Sequence, residues 1–453
     1  MTISQKQAAF LENLSFNDIS ESALESCKIV ILDTIGVALG GSQAQHSRSA
    51  AALAHDYSEK KEATVFAYDG KTSCLKAAFA NGVMAHAIDF DDDYEPGAVH
   101  VACAVIPAAF ALAESRGESG KSLITAVTAG YEIACRAAGA LALKEERVGY
   151  HITGAVGGFG SAAACGKLLK LEENRLVSAL GIAGDQACGL LQYHFDGSML
   201  KHLHGGKAAQ NGLFSALLAE RGFSGSPEIY EGGYGFYNVL FGGDYKAAEL
   251  TDDLGQTFKI SETSLKPYPS CRSTHSPIAA ALILKKRHNL AAEDIDKITL
   301  RLFSRAYKSY NKPSPETNLQ ALLSEQFCVA TALLRGEVTL QSFSPEALKD
   351  EKVRYLIRKI ELAEDSALTD RFTKMRSRPI VLEILMKSGE RFIEEVEWAP
   401  GSPANPMSEA DRLKKFEDLA YTVLAREKME RLMDRLLNLE RVENVNAVAE
   451  LLH

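Results

Sequence analysis

The segment His86-Ala-Ile-Asp89-Phe-Asp91-Asp92-Asp93-Tyr-Glu95, followed by His100, holds the densest set of reactive side chains in the chain. Five carboxylates in seven residues repel one another and need water, cations or hydrogen-bond donors. One reading makes Asp92–Glu95 an acidic helix end in solvent. A second takes Asp91-Asp92-x-x-Glu95 as a magnesium cluster that bridges to a diphosphate. Such sites carry a second metal motif toward the C-terminus, whereas the only near-match here, Asn17-Asp18-Ile19 with Glu25, lies upstream and lacks its hydroxyl residue. A third reading turns Asp89 and His100 into a cleft as acid–base or hydrogen-bonding groups.

Basic residues recur in three further segments. Gly149-Tyr150-His151-Ile152-Thr153-Gly154 precedes the run Gly157-Gly158-Phe159-Gly160. No predicted strand leads into it, so it is not a dinucleotide fingerprint. Close helix packing accounts for the glycines and leaves only His151 unexplained. Next, Lys201-His202-Leu203-His204-Gly205-Gly206-Lys207 sets four basic groups at a helix start, a cradle for carboxylates in which Lys201, His204 and Lys207 are the candidate binders. His202 and His204 lack a third ligand at a metal spacing. Last, Lys266-Pro267-Tyr268-Pro269-Ser270-Cys271-Arg272-Ser273-Thr274-His275 is stiffened by two prolines that hold Lys266, Arg272 and His275 in place. Such a recurrence in an acidic protein points to a small polyanion as ligand. Cys103, three residues after His100, sits in Val-Ala-Cys-Ala-Val-Ile, an apolar context in which a thiol is inert.

The elements that must position these groups follow from length and pattern. The chain has 453 residues, room for two or three domains or one large helical body with an insertion. Apolar residues make up 46% and charged ones 24%, which excludes disorder and fibres. The net charge of −9 repels phosphate and anionic lipid, so neither nucleic acid nor a membrane is the expected partner. Eight cysteines without a CxxC pair read as reduced cytoplasmic thiols, with no metal site. No signal peptide is recognised at the N-terminus, and the longest uncharged apolar run, Val101 to Ala113, is too short to span a bilayer.

Residues 1 to about 265 read as helix: Ser20-Glu21 opens a segment with Leu24, Cys27, Ile31 and Ile35 at helical spacing, and Ala-rich stretches follow. After residue 243 the character changes. Ile298, Leu300 and Leu302 alternate as in a strand, and Ile380 to Met386 and Arg391 to Trp398 flank a Ser-Gly turn. Helical patches are expected at 275–287, 323–335 and 345–360. Pro400, Pro403 and Pro406 then precede a last helical stretch that starts at Ser408-Glu409. The predicted fold is mainly α: a large all-helical domain, 1–265 together with 405–453, and an inserted smaller α+β lid domain, 266–404. A cleft between such domains is the default place for a ligand.

Taken together and in order, these segments resemble the MmgE/PrpD family of cis-aconitate decarboxylases, 2-methylcitrate dehydratases and iminodisuccinate epimerases. The resemblance covers nearly the whole chain. It runs from Leu32-Asp33-Thr34-Ile35-Gly36 through His86-Ala-Ile-Asp-Phe-Asp-Asp, His151, Lys201-x-x-His204-x-Gly-x-Ala-Ala and Lys266-Pro-Tyr-Pro-x-Cys to Asn405-Pro406-Met407-Ser408 and Lys415-Phe416. One departure is Val101, where family members commonly follow the histidine with proline. The resemblance implies a helical domain with an α+β lid, a homodimer, and no metal, nucleotide or flavin cofactor. It implies a lyase acting on a small tri- or dicarboxylate, with cis-aconitate decarboxylation ahead of 2-methylcitrate dehydration and imino-diacid epimerisation. The implied site is Asp89, His100, His151, Lys201, Lys266 and a lid tyrosine. Counting back from Phe327-Cys328-Val329-Ala330 favours Tyr310, with Tyr307 close by. All three reactions pass through a carbanion next to a carboxylate, whose growing charge lysines and protonated histidines stabilise. Lys201 and Lys266 would bind carboxylates, His100 in preference to His151 would move the proton, and Asp89 would orient a partner. A non-catalytic polycarboxylate-binding or scaffold protein is the remaining alternative.

Overall fold

The computed structural model describes residues 1–141 and 149–453. The fold is mainly α, and two compact units divide it. The first comprises Met1–Gln192, Met199–Leu265 and Glu409–His453; the second comprises Tyr193–Ser198 and Lys266–Ser408. Among the described residues no helix is long and apolar enough to cross a membrane.

In the first unit Ser20 caps the helix Glu21–Gly41 by accepting from the Ala23 N–H, and Cys27, Ile31 and Ile35 line its buried side. The centre is made of Cys74–Ala85, Ala102–Arg116, Gly120–Gly139, Ile152–Leu168 and Leu200–Glu220. Every residue from Ala102 to Glu114 is buried, as expected of a helix that is apolar all round. Glycines set how closely these helices approach. A Cβ on Gly82 would stand 2.8 Å from Gly206 Cα, and one on Gly205 would stand 3.0 Å from Gly82 O and 3.2 Å from His86 Cβ. The helices Cys74–Ala85 and Leu200–Glu220 therefore cross backbone to backbone, which carries His86 to the start of the second. A Cβ on Gly157 would lie 2.9 Å from Ala208 Cβ and 3.0 Å from Ala104 Cβ, so that glycine run serves close packing. Near the C-terminus, Lys415 on the helix Glu409–Ala420 reaches Asp33 Oδ1 at 2.7 Å and donates to Phe90 O at 2.8 Å.

The second unit is built on a four-stranded sheet in the order Ile360–Glu364, Ile295–Leu302, Ile380–Met386, Arg391–Val396. The first pair is parallel and the others antiparallel. Ile298, Leu300 and Leu302 are fully buried opposite Ile384, Leu382 and Ile380. The hairpin turns at Gly389, whose φ of +91° suits glycine. Helix His275–His288 packs on this sheet and on Glu325–Arg335. The helical patch expected at 345–360 is two short helices, Pro345–Leu348 and Glu351–Ile357, because Asp350 caps the second through the Lys352 N–H.

Candidate active site

Helix Cys74–Ala85 ends at His86, and the chain turns through Asp89 at φ +53°, a left-handed conformation that aspartate tolerates better than most residues. Backbone pairing of Asp93 with Ser264 and of Tyr94 with Val99 pins the loop beyond. The acidic run is not a solvated helix end: Asp91 and Asp92 are fully buried and Asp93 is 3% exposed. Donors explain how. Asp92 accepts from the Ala102 N–H at 3.1 Å and from the Tyr131 hydroxyl at 2.8 Å, and Glu95 accepts from Ser264 Oγ at 2.7 Å. Burial, reinforced by the neighbouring charge of Asp91, still holds the Asp92 carboxyl well above the usual carboxylate range.

Around this loop stand five imidazoles. The His86 ring centre lies 5.0 Å from that of His100, 5.7 Å from His151 and 6.2 Å from His202, and His151 lies 5.2 Å from His204. A sixth, His46, stacks on His202 at 4.0 Å. Hydrogen-bond partners set several tautomers. A carbonyl can only accept, so His100 Nδ1 donates to Asp92 O at 2.5 Å and His202 Nδ1 donates to His86 O at 2.6 Å. His86 Nδ1 donates to Asp91 Oδ2 at 2.7 Å. His151 Nδ1 and His204 Nδ1 are 3.0 Å apart, which requires one N–H and one lone pair. Burial is the first cause that makes His151 and His202 hard to protonate, and repulsion from the basic groups around them, Lys201 among them, adds to it. His204 is pushed down to about 4 by burial and then by His86 and Lys201.

Lys201 enters from the first turn of Leu200–Glu220, with Nζ 2.7 Å from Asp89 Oδ2. The first unit thus brings together Asp89, His100, His151, Lys201 and His204. Lys207 does not join them: it is half-buried and donates to Gln210 Oε1 at 2.9 Å along its own helix. Lys266, His275 and Tyr310 belong to the second unit. Lys266 is fully buried there, not a solvated lysine. His275, also fully buried, donates through Nε2 to Ser270 O at 3.2 Å and has Arg272 Nη1 3.2 Å from Nδ1, so it ties its own segment together. Tyr310, 7% exposed, ends the helix Ser304–Tyr310 with its ring 5.8 Å from His194; Tyr307 is half-buried.

Among the described residues, two sets of metal-ligating types come within 4.8 Å of one another: His86, Asp91 and Cys103, and Asp91, Asp92 and His100. Several of their atoms are committed to hydrogen bonds. Both Asp92 oxygens accept hydrogen bonds, His86 Nδ1 is bonded to Asp91, and burial pushes the Cys103 thiol far up. They form a hydrogen-bond network. Sequence reasoning gave His86 no work, offered Asp91 only as a metal ligand and His202 only as half of a metal pair, and missed His46 and Tyr131. A histidine five residues before an aspartate was a usable signal for the first pair. For Tyr131, 39 residues from Asp92, the sequence holds none.

A helical body carrying a buried histidine–aspartate–lysine cluster, joined to a smaller α+β unit, agrees with the family comparisons. The MmgE/PrpD N-terminal domain model matches residues 5–248 and the MmgE/PrpD C-terminal domain model matches residues 268–439. The chain belongs to the MmgE/PrpD family. It is similar to the cis-aconitate decarboxylase of Mus musculus, 28% identical over 465 residues that cover 100% of this chain and 93% of the relative. It is likewise similar to the cis-aconitate decarboxylase of Aspergillus terreus, 27% identical over 97% of this chain and 94% of the relative. The 2-methylcitrate dehydratase of Salmonella typhimurium strain LT2 is 26% identical over 63% of this chain and 61% of its own length.

Proposed function

We propose that this chain is a lyase that removes CO₂ from cis-aconitate or a close tricarboxylate and then protonates the carbon left behind. The gathering of Asp89, His100, His151, Lys201 and His204 in one buried cluster carries this reading. Similarity to decarboxylases along more than nine-tenths of their length supports it over dehydration, where the likeness is shorter. The C–C bond to the leaving carboxylate breaks, and its electron pair spreads into a neighbouring carboxylate. A lysine ammonium or an imidazolium stabilises that charge as it develops, because the site excludes water. A ring nitrogen then loses its proton to carbon, and solvent later replaces it. His100 suits this last role: Nδ1 is fixed on Asp92 O, and its side chain is 12% exposed. His151 is held neutral by burial, which suits it to accept a hydrogen bond rather than give up a proton. The resemblance puts Lys266 and Tyr310 in the active-site set; Lys266 would bind a carboxylate, and Tyr310 is the next candidate for the acid after the histidines.

Purified protein incubated with cis-aconitate, 2-methylcitrate and iminodisuccinate, with products followed by NMR, tests the reading. CO₂ loss from cis-aconitate is expected, and His100→Ala should lower kcat on the order of 10²–10⁴-fold with KM much less affected. Turnover of 2-methylcitrate alone would replace decarboxylation by dehydration. Inactivity on all three acids, with no thermal shift from any of them, would leave a binding or scaffold protein.

We also propose a cytoplasmic homodimer. All eight cysteines are free, which fits a reducing compartment. Met199, Leu200, Leu203 and Phe214 form an exposed apolar stripe on one face of the helix that carries Lys201, a surface suited to a second copy. Light scattering on the eluting protein checks the mass.

A further inference from the structure

Tyr131 has no task in the chemistry proposed above or in the family resemblance, yet it is bonded to the loop that holds His100. It lies within the helix Gly120–Gly139, fully buried, with its hydroxyl 2.8 Å from Asp92 Oδ2. The other Asp92 oxygen accepts from the Ala102 N–H at 3.1 Å. The contact with Tyr131 persists in either state of Asp92, because a carboxylate accepts from a phenol and a carboxylic acid donates to it. The main chain of Asp92 has a different partner: its carbonyl takes the Nδ1–H of His100 at 2.5 Å. Those two residues face one another because the chain between them doubles back, with the Tyr94 N–H donating to Val99 O at 2.8 Å. The His100 N–H donates to Thr153 Oγ1 at 3.1 Å. Thr153 thus holds the backbone of His100 and Asp92 holds its ring. The helix of Tyr131 supports this loop a second time. A Cβ on Gly97 would overlap that of Ala138, so the tip of the turn rests on Ala138. Ala138 follows Tyr131 by seven residues, about two helical turns, which puts both on one face.

We propose that Tyr131 is a positioning residue for His100: by anchoring the side chain of Asp92 it keeps the Asp92 carbonyl on His100 Nδ1, which fixes the tautomer and leaves proton exchange to Nε2. A carbonyl offers only lone pairs, so the nitrogen it faces must carry hydrogen and the opposite nitrogen is the one that gains and gives up a proton. Without the phenol, the Asp92 side chain would keep only the Ala102 N–H of the two bonds described, and a residue held at one oxygen can turn its carbonyl away from the ring. The part Tyr131 plays in turnover rests on His100 as the group that moves the proton; the tautomer it fixes does not.

The test uses the ligand-free, full-length protein with ¹⁵N-labelled histidine, in which NMR reads the tautomer of each ring. His100→Gln identifies the His100 signals by their loss. In the parent, the neutral His100 ring should carry its hydrogen on Nδ1 alone. Tyr131→Phe removes one oxygen and keeps the ring, and His100 should then show a mixture of Nδ1–H and Nε2–H forms. Where cis-aconitate turnover is present, this variant should lose roughly 10–100-fold in kcat with KM within about threefold, as when a reacting group is set slightly out of place. Asp92→Ala removes the anchor from the other side and should do the same; it decides the matter if Tyr131→Phe does not fold. Asp92→Asn should restore the single tautomer and most of the rate, because its oxygen can take the Ala102 N–H and its amide can donate to the Tyr131 oxygen. A Tyr131→Phe protein that is folded by circular dichroism and keeps one His100 tautomer overturns the proposal, whatever its melting temperature does. A loosened tautomer with unchanged kcat overturns it as well. So does Asp92→Asn as damaged as Asp92→Ala, for the carboxyl would then act by its charge or its proton. A tautomer that loosens as expected in a protein inactive on every acid supports the positioning and removes only the reaction above it.

Discussion

Lys201 and Asp89 form a buried ion pair, with Nζ 2.7 Å from Oδ2, and Asp89 adopts a left-handed backbone to make it. The lysine that sequence reasoning would give to a substrate carboxylate already has one. A bound polycarboxylate therefore has to share or replace the Asp89 contact, and the pair sets the charge that the site presents to it.

Asp89→Asn tests this directly, since asparagine tolerates the same φ. Lys201 is then a buried cation without its counter-ion, and stability should fall by roughly 3–5 kcal/mol, the range for breaking a buried pair from one side. Urea unfolding measures the loss. Added tricarboxylate should return part of it by supplying a carboxylate to Lys201. Unchanged stability would place the side chain of Lys201 in solvent.

Gly82→Ala probes the helix crossing. Alanine is worth about 1 kcal/mol over glycine within a helix. Here the new Cβ would meet only backbone: Gly206 Cα at 2.8 Å, Cys103 O at 3.0 Å and Gly205 O at 3.1 Å. Backbone cannot swing aside, so we expect a net loss of roughly 1–3 kcal/mol, the usual cost of overpacking. A gain in melting temperature would show that the two helices are further apart.

Glu325 gives a pH signature in the second unit. It is fully buried at the start of Glu325–Arg335, neither carboxyl oxygen has a hydrogen-bond partner among the described residues, and burial pushes it from 4.5 up to about 8. A carboxyl raised on folding costs stability as pH rises, because the unfolded chain releases its proton first. The cost begins near pH 4.5, grows to about pH 8 and is constant beyond. Glu325→Gln removes it, so the melting temperature of the variant relative to the parent should climb between pH 5 and 8 and be flat at either side. A difference independent of pH would mean that Glu325 is ionised in the fold.

Exhaustive chelation should leave activity intact, because Asp91 Oδ2 holds His86 Nδ1 and both Asp92 oxygens accept hydrogen bonds, from the Ala102 N–H and the Tyr131 hydroxyl. Loss on EDTA treatment with recovery in Mg²⁺ would instead return Asp91 and its neighbours to metal binding.

Much of the fold was legible because periodicity is local. The cap at Ser20, the alternation through Ile298, Leu300 and Leu302, and the hairpin around Gly389 all appear where the pattern put them. The site was legible as motifs and illegible as a network. Asp92–Glu95 looked solvated because no sequence window shows Tyr131 or Ser264 arriving with hydroxyls. His275 carried the same appeal as His204, but it lies in the second unit, where Ser270 and Arg272 of its own segment are among its partners. Lys207 lies six residues along the helix from Lys201, about 120° around it, so helical spacing separates the two but does not say which one faces inward.

Lys415 has a consequence for synthesis. It donates to Phe90 O and pairs with Asp33, although it follows Phe90 by 325 residues. At 5–20 residues per second, the loop that carries Asp89 and Asp91 waits roughly 15–65 s on the ribosome before the helix that braces it is made. During that interval Asp33 lacks its cation and the groove on Glu21–Gly41 that receives Phe416 is uncovered. Nascent chains cut short before residue 409 should therefore be held by chaperones or degraded, while the chain extended through residue 453 closes its own first unit.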